Sequence, residues 1–382
     1  MVMSDTWAVL FGGPSPEHEI SILTGLQSER VLTAAGESVL PIYWAPSGGW
    51  YLVPPASEAK DYLEGVPKGA RAIEVRLGEN PGLFLKKRFG DDSLDLSAVL
   101  VCLHGGIGEG GGAAAVFNLL GIPATGSSLF AGAVGMDKLA FGGLMGTAGI
   151  PSLPRELLST LREPSFPGPY IVKPRFGGSS IGIEIVDDID AARAVARGSV
   201  HLRGGAVLEP YRPELVDLNI SFRTHPSLQI TQLERPLRGE SAGALYSYAE
   251  KYLAGSAGAD AGLTSAPRQF PAQVPDAVAA KATELAAAVA EVTGLTGVVR
   301  VDLLLDEGSG DLFVNEVNSI PGAMSLYLWA PQVVAAEVLK DALIEARDAR
   351  PSVPTSGFGS GAALRAAGGI AGKLVGLNGP RR

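Results

Sequence analysis

Four polar residues set into two apolar runs mark where this chain can do chemistry. The run Val298-Val-Arg-Val-Asp-Leu-Leu-Leu305 carries Arg300 and Asp302, and Leu312-Phe-Val-Asn-Glu-Val-Asn-Ser319 carries Glu316 and Asn318. Both have strand character, and Asp306-Glu-Gly-Ser-Gly310 between them has turn chemistry. Alternate residues of a strand share a face, so a hairpin can bring the four side chains together. Two carboxylates and an amide in apolar strands are costly to bury unless something compensates them. Magnesium bridging hard oxygen ligands to phosphate oxygens is one such compensation. Arg300 on the same surface can stabilise charge on a transferring phosphoryl group or a developing oxyanion. A solvated hairpin face carrying scattered charge is the plain alternative. The Asn318-Ser-Ile-Pro-Gly322 loop weighs against it, because Gly322 can bring backbone N–H groups to an anion.

Two glycine-rich stretches compete as phosphate sites. In Lys173-Pro-Arg-Phe-Gly-Gly-Ser-Ser-Ile-Gly182 the lysine precedes the glycines, the reverse of a Walker A loop. What remains is a strand lysine followed by a flexible lid whose backbone N–H groups and Ser179 and Ser180 hydroxyls can fold over a triphosphate. A simple hairpin turn is the bland reading. Gly106-Ile-Gly-Glu-Gly-Gly111 formally fits a dinucleotide fingerprint, but no acid closes a second strand to hold a ribose before Asp137. A nicotinamide dehydrogenase is therefore the weaker reading. His104, at the end of the apolar run Ala98–Leu103, has a plain role open to it as a neutral loop-bonding histidine.

Around these residues, short apolar runs predict strands at Trp7–Phe11, Val39–Tyr43 and Ala98–Leu103, and helical spacing predicts Ser21–Leu32, with Ser21 as N-cap, and Ala113–Leu120. Strand, loop, helix in this order suggests a parallel α/β sheet with its site at the strands' carboxyl ends. A hairpin is expected around Ile73 and Phe84. After about residue 128 the pattern becomes α+β, with a helix Met136–Met145, paired strands Tyr170–Pro174 and Gly182–Val186, a helix Asp188–Ala196 and a strand Ala206–Glu209. A third region holds strands Asn219–Thr224 and Gln229–Glu234, an Ala-rich helix Pro275–Thr293 and the polar hairpin. Beyond Arg350 a Gly/Ala/Ser/Pro-rich tail is expected to be mobile; a weak helix carrying Leu364, Ile370 and Leu374 is the alternative.

The net charge of −9 argues against a nucleic-acid polyanion as principal partner. The single cysteine, Cys102, excludes an intramolecular disulfide and fits a reducing compartment as a buried structural thiol. No signal peptide or long apolar span is evident, so a cytoplasmic protein off the membrane is expected.

Six segments in register resemble the D-alanine–D-alanine ligase family of the ATP-grasp superfamily. They are Phe11–Ser21, Leu103–Gly105 with Glu109, Gly135–Lys138, Lys173–Gly182, Tyr246–Tyr252 and Arg300–Gly322. The resemblance implies a three-domain ATP-grasp fold: an N-terminal parallel α/β domain over 1–130, a central subdomain over 131–215, a C-terminal metal-binding domain over 216–350 and the tail 351–382. It implies ATP and two Mg²⁺, with Mn²⁺ an allowed substitute, and small-molecule amino-acid substrates. By position, Lys138, Lys173, Ser179, Ser180 and Lys251 fall to the nucleotide. Glu209 and Tyr211 fall to the adenine hinge and Asp217 to the ribose. Asp302, Glu316 and Asn318 fall to the metal. Glu17, with Ser179 and Tyr252, would orient the first amino acid's ammonium, while His104, Arg300 and Gly322 would flank an acyl phosphate. A homodimer through the N-terminal domain is likewise implied.

The chain departs from the family at several positions, among them Ala249-Glu250, which inverts the usual Glu-Ala order before Lys251 and Tyr252. Gly110 follows Glu109 where an Asp is usual, Pro210 sits in the adenine hinge, and Ala323-Met-Ser-Leu-Tyr-Leu-Trp329 replaces a Thr/Ser-rich stretch that receives the second substrate. Tyr327 stands where a serine hydroxyl is expected, which leaves acceptor identity open. The leading expectation is D-alanine ligation for cell-wall precursor synthesis. A same-fold ligase with another acceptor and a catalytically silent nucleotide-binding regulator are the alternatives.

Overall fold

The computed structural model describes residues 5–88, 90–237, 267–349 and 361–366. Its first sheet grows around the apolar run at Trp7–Phe11, which forms β1 (Thr6–Gly12) and is buried from Trp7 onward. Helix α1 (His18–Ala34) leads to β2 (Ser38–Trp44), which lies parallel to β1. Strands β3 (Trp50–Leu52), β4 (Arg71–Arg76), β5 (Gly82–Lys86) and β6 (Asp91–Ser93) then add on as an antiparallel meander. Strand β7 (Ala98–Val101) returns to the far side of β1, again parallel. The sheet is therefore mixed, in the order β6-β5-β4-β3-β2-β1-β7, and not the parallel sheet expected. The reason lies in the connections, since the links between β2 and β6 hold no crossover helix and parallel pairing needs one. The hairpin expected around Ile73 is β4–β5, with Ile73 opposite Leu85.

Ser21 does not cap α1, which begins three residues earlier. Fully buried, its hydroxyl accepts the Gly12 N–H at 2.7 Å and donates to the Cys102 carbonyl at 2.7 Å, stitching β1 to the end of β7. Cys102 is buried as expected, and burial pushes its thiol up to about 12. Helix α2 (Ala113–Leu120) falls where the periodicity placed it. The helix expected over Met136–Met145 is two, α3 (Leu129–Met136) and α4 (Lys138–Thr147). Asp137 breaks the run by capping α4, accepting the N–H groups of Leu139 and Ala140.

The second sheet, in the order β10-β9-β11-β8, is antiparallel and built from β8 (Glu156–Leu157), β9 (Tyr170–Pro174), β10 (Glu184–Val186) and β11 (Ala206–Pro210). Helix α5 (Ile189–Gly198) packs on it. The third sheet joins β12 (Leu215–Arg223) and β13 (Gln229–Ile230) to the polar hairpin; β14 (Arg235–Pro236) and β15 (Arg268–Gln269) form a separate ribbon. Helix α6 (Asp276–Thr293) buries Val278, Ala282, Leu285, Ala286 and Val289, which fall on one helical face, against the third sheet. The hairpin itself is β16 (Val298–Asp306) and β17 (Leu312–Asn318), and α7 (Leu326–Trp329) and α8 (Ala335–Ala349) follow.

Three apolar cores result. One joins the first sheet to residues from near the C-terminus, including Met324, Leu326, Trp329, Val338, Leu339 and Leu343. The second lies under the third sheet and the third within the second sheet. Of the tail, a short helix Ala362–Ala366 is described, with Leu364 exposed; Ile370, Leu374 and the expected mobility lie outside the described residues.

Gly25 on α1 faces Phe11 so closely that an added Cβ would sit 2.4 Å from the Phe11 Cβ. Gly25→Ala is expected to lower unfolding stability by about 1–3 kcal/mol despite alanine's better helix propensity. A chemical-denaturation midpoint at or above that of the parent would refute this packing constraint.

Candidate active site

The hairpin aligns the four polar residues in facing pairs, Arg300 opposite Asn318 and Asp302 opposite Glu316. Arg300 grips Asp302 as a fork, Nε to Oδ1 at 2.6 Å and Nη2 to Oδ2 at 2.9 Å. The Asn318 amide nitrogen donates to Asp302 Oδ2 at 3.1 Å, and Glu316 Oε2 lies 3.5 Å from Lys138 Nζ. Beyond Asp302 the ladder steps to Leu303–Val314, which leaves Asn315 as the extra residue of a bulge.

The two expected lysines flank this face. Lys138, at the start of α4, is buried and donates to the Gly177 carbonyl of the glycine loop. Lys173, on β9, donates to Glu209 Oε2 at 2.7 Å, and Arg155 pairs with Glu209 Oε1 at 2.8 Å. Glu209 is 1% exposed. Burial pushes its carboxyl up, but Lys173 and Arg155 outweigh that and hold it below its ordinary range. Arg155 also donates to the Asn315 carbonyl, tying the bulge to the second sheet. Sequence reading missed Arg155 because it stands in an irregular segment with no motif around it.

A cleft between the second and third sheets is lined by Lys138, Lys173, Ser180, Glu209, Tyr211 and Asp217 together with Arg300, Asp302, Glu316 and Gly322. A smaller adjoining cavity takes Glu17, Glu109, Lys138, Glu316 and Asn318 into its wall. Ser179 ties the glycine loop to the segment between β1 and α1, its hydroxyl donating to Glu17 Oε1 across 162 residues of sequence. Ser179 and Ser180 both hold left-handed backbone, φ 53° and 59°. Gly105 leaves room for Glu17, since a Cβ there would meet Glu17 Oε2 at 2.2 Å. Lys251 and Tyr252 lie outside the described residues.

His104 is not among the residues lining the cleft. It is buried behind it, with Nε2 2.8 Å from Thr24 Oγ1, and Thr24 Oγ1 accepts the Ala323 N–H at 3.1 Å. Burial, aided by the Arg300 charge, pulls the imidazole down to about 4 against an opposing hydrogen bond with the Ile320 backbone, so it is neutral near pH 7. Glu109, part of the glycine-rich motif but given no role from sequence, accepts the Gly105 N–H at 2.8 Å and the Ile320 N–H at 3.3 Å. Burial and the nearby Glu17 push it up to about 7, opposed by those two N–H groups and Arg300. A lone acid inside a run of glycines was the available signal.

After Gly322 the chain takes three consecutive left-handed residues, Ala323, Met324 and Ser325, each with φ 50°. Non-glycine residues adopt this conformation at about 1–2 kcal/mol each, and such turns persist where surrounding contacts over-determine them. Tyr327 follows, and its hydroxyl donates to Glu234 Oε2 at 3.3 Å. Burial, then the Glu234 charge, raises the phenol's pKa.

Among the described residues, no three acids, histidines or cysteines converge as a ready cage for an ion. Asp302 and Glu316 with the Asn318 amide form a partial, hard-oxygen set, the kind that suits Mg²⁺ when phosphate oxygens complete the shell. The donor chemistry therefore fits a magnesium–nucleotide pair.

Comparison with known proteins gives the same direction. Two family descriptions match, "D-ala D-ala ligase N-terminus" over residues 6–127 and "D-ala D-ala ligase C-terminus" over residues 145–345. The D-alanine–D-alanine ligase of Mycolicibacterium paratuberculosis is 31% identical over 371 residues, covering 90% of this chain and 96% of that protein. That of Mycolicibacterium vanbaalenii is 29% identical over 371 residues, 90% of this chain and 97% of that protein. Among solved structures, the VanG D-Ala:D-Ser ligase of Enterococcus faecalis matches with a TM-score of 0.72 at 23% identity, covering 90% of this chain and 100% of that chain. The D-alanyl-alanine synthetase A of Vibrio cholerae matches at 0.73 and 21%, covering 91% of this chain and 100% of that chain. At these identities the structures speak for a shared fold.

His104 and Glu109 make opposite contributions to pH-dependent stability. His104 takes a proton near 6.5 when unfolded and near 4 when folded, so it makes stability fall as pH drops through that window. Glu109 ionises near 4.5 when unfolded and near 7 when folded, so it makes stability fall as pH rises through that window. In urea titrations without metal or nucleotide, His104→Gln should flatten the acid-side loss by up to roughly 3 kcal/mol. Glu109→Gln should steepen the same loss. Parallel pH profiles for both variants and the parent would refute the assignment.

Proposed function

The chain belongs to the D-alanine–D-alanine ligase family, and from that premise we propose that it joins two D-alanine molecules, supplying a dipeptide for peptidoglycan. It is an ATP-dependent carboxylate–amine ligase. The observation that carries the reading is the hairpin register, which sets Asp302, Glu316 and Asn318 beside Arg300 in a cleft that also holds Lys138 and Lys173.

In this reading Glu209 and Tyr211 border the adenine, Asp217 meets the ribose, and Lys138, Lys173 and the Ser179–Ser180 lid hold the phosphates. Asp302, Glu316 and Asn318 would hold two Mg²⁺, or Mn²⁺, whose positive charge offsets that of the phosphates. Glu17 orients the first amino acid's ammonium, with Ser179 bonded to it from the lid. That substrate's carboxylate oxygen forms a bond to the γ-phosphorus as the bond to ADP breaks, giving an acyl phosphate. The second substrate's amine then attacks the activated carbonyl, and phosphate leaves from the tetrahedral intermediate. Arg300 and the Gly322 backbone N–H stabilise the charge that develops there. His104, neutral and behind the wall, acts through Thr24 by holding the Ala323 turn. Assembly as a homodimer through the first domain and a cytoplasmic location are part of the same proposal. Among the described residues, no helix is long and apolar enough to cross a membrane.

Phosphate release and dipeptide formation should require ATP, Mg²⁺ and D-alanine together. Asp302→Asn should lower kcat by about 10²–10³-fold, the scale of losing one preorganised charge-stabilising group. Turnover with L-amino acids or hydroxy acids alone would overturn the D-alanine assignment.

A further inference from the structure

Lys138 and Lys173 reach the cleft from bodies with separate interiors. Lys138 opens α4, whose Phe141 and Met145 belong to the core under the third sheet. Lys173 lies on β9, whose Tyr170 and Val172 belong to the core of the second sheet. Packing within either core leaves the distance between the two ammonium groups unset. A polar tie supplies what packing does not. Arg175, two residues past Lys173, grips Asp137 as a fork, with Nε donating to Oδ1 at 2.8 Å and Nη2 to Oδ2 at 2.6 Å. Asp137 is buried, caps α4 and immediately precedes Lys138. The backbone doubles the link: the Lys138 N–H donates to the Arg175 carbonyl at 3.1 Å, and Asp137 bridges Phe176 in antiparallel register. The Arg175 guanidinium carbon also lies 5.1 Å from the centre of the Phe176 ring. Neither Arg175 nor Asp137 is among the residues lining the cleft.

We propose that Arg175 is a positioning residue for nucleotide binding: through Asp137 it sets the spacing of the Lys138 and Lys173 ammonium groups, and with it the grip on phosphate. This rests on the ligase reading, in which both lysines hold the phosphates. A bidentate guanidinium–carboxylate pair fixes orientation as well as distance, and here its two ends lie one and two residues from the two lysines. The Lys138 ammonium donates to the Gly177 carbonyl, so it too is referred to the segment that Arg175 anchors. Arg155 makes a second link between the bodies, from Glu209 to the Asn315 carbonyl, so loss of the fork loosens them without separating them. The effect is therefore confined to phosphate and spares the base and ribose.

Calorimetry with MgADP and, separately, with adenosine tests this, because adenosine carries base and ribose without phosphate. Arg175→Ala should weaken MgADP binding by about tenfold, within the range for residues that act without touching the ligand. Adenosine binding should stay within about twofold of the parent. In steady state the same variant should raise KM for ATP and leave KM for D-alanine within about twofold. Asp137→Asn, whose amide oxygen can still cap α4, should weaken MgADP similarly, and the double variant no further than the worse single. Arg175→Lys keeps the charge without the fork; it should recover only part of the loss, and it serves where Arg175→Ala does not fold. Parent-like MgADP affinity in Arg175→Ala, or full recovery in Arg175→Lys, would overturn the inference. So would losses that multiply in the double variant, the mark of Arg175 reaching the phosphate itself, or a parallel loss of adenosine binding. A parent protein that binds MgADP no more tightly than adenosine would instead remove the phosphate role of the lysines, and the ligase reading with it.

Discussion

The pairing of β16 with β17 decides which way the polar side chains of the cleft point. With Arg300 opposite Asn318 and Asp302 opposite Glu316, one face of a two-stranded ribbon carries every hard-oxygen ligand proposed for the metal. A slip of one residue would send all of them to the other side. That other side is occupied by Val299, Val301 and Leu303, packed against α6, which fixes the register through burial of apolar area. The bulge at Asn315 falls directly beside the Asp302–Glu316 pair, where Arg155 and Lys173 reach it.

Charge burial links this ribbon to the second sheet. Glu209 is enclosed, yet two cations hold it ionised, and one of them, Arg155, also grips the backbone of the bulge. Breaking such a buried pair from one side leaves an uncompensated charge, so β11, β9 and the β16–β17 hairpin are coupled electrostatically as well as by packing. A second link runs through Glu109, whose two oxygens take N–H groups from the first domain and from the loop after β17.

Much of this was legible in the sequence because it is encoded by period and type. The alternation of Arg300 with Asp302 and of Glu316 with Asn318, the buried run at Trp7 and the spacing along α6 all follow from strand or helix geometry. The mixed character of the first sheet was less legible, since β3 to β6 are short and their pairing is decided by loops without a clear pattern. Ser21 shows the limit of local rules: it has a capping residue's chemistry, but Gly12 and Cys102, distant in sequence, claim its hydroxyl. Arg155 and Glu234 were invisible for the same reason, because each gains its meaning from partners on other elements. His104 was noticed, but its burial behind the wall depends on Thr24 and Ile320, which no motif connects to it.

The first apolar core carries a lesson for anyone recombining such chains. It fuses the sheet at the beginning of the polypeptide with Trp329, Val338 and Leu343, all far downstream of its last strand. A cut placed between sequence-contiguous modules would strip both ends of their shared interior. Shuffling would succeed only if the opening and closing segments travelled together as one inheritance unit, with the lid-bearing sheet, whose apolar interior is its own, as the natural cassette between them.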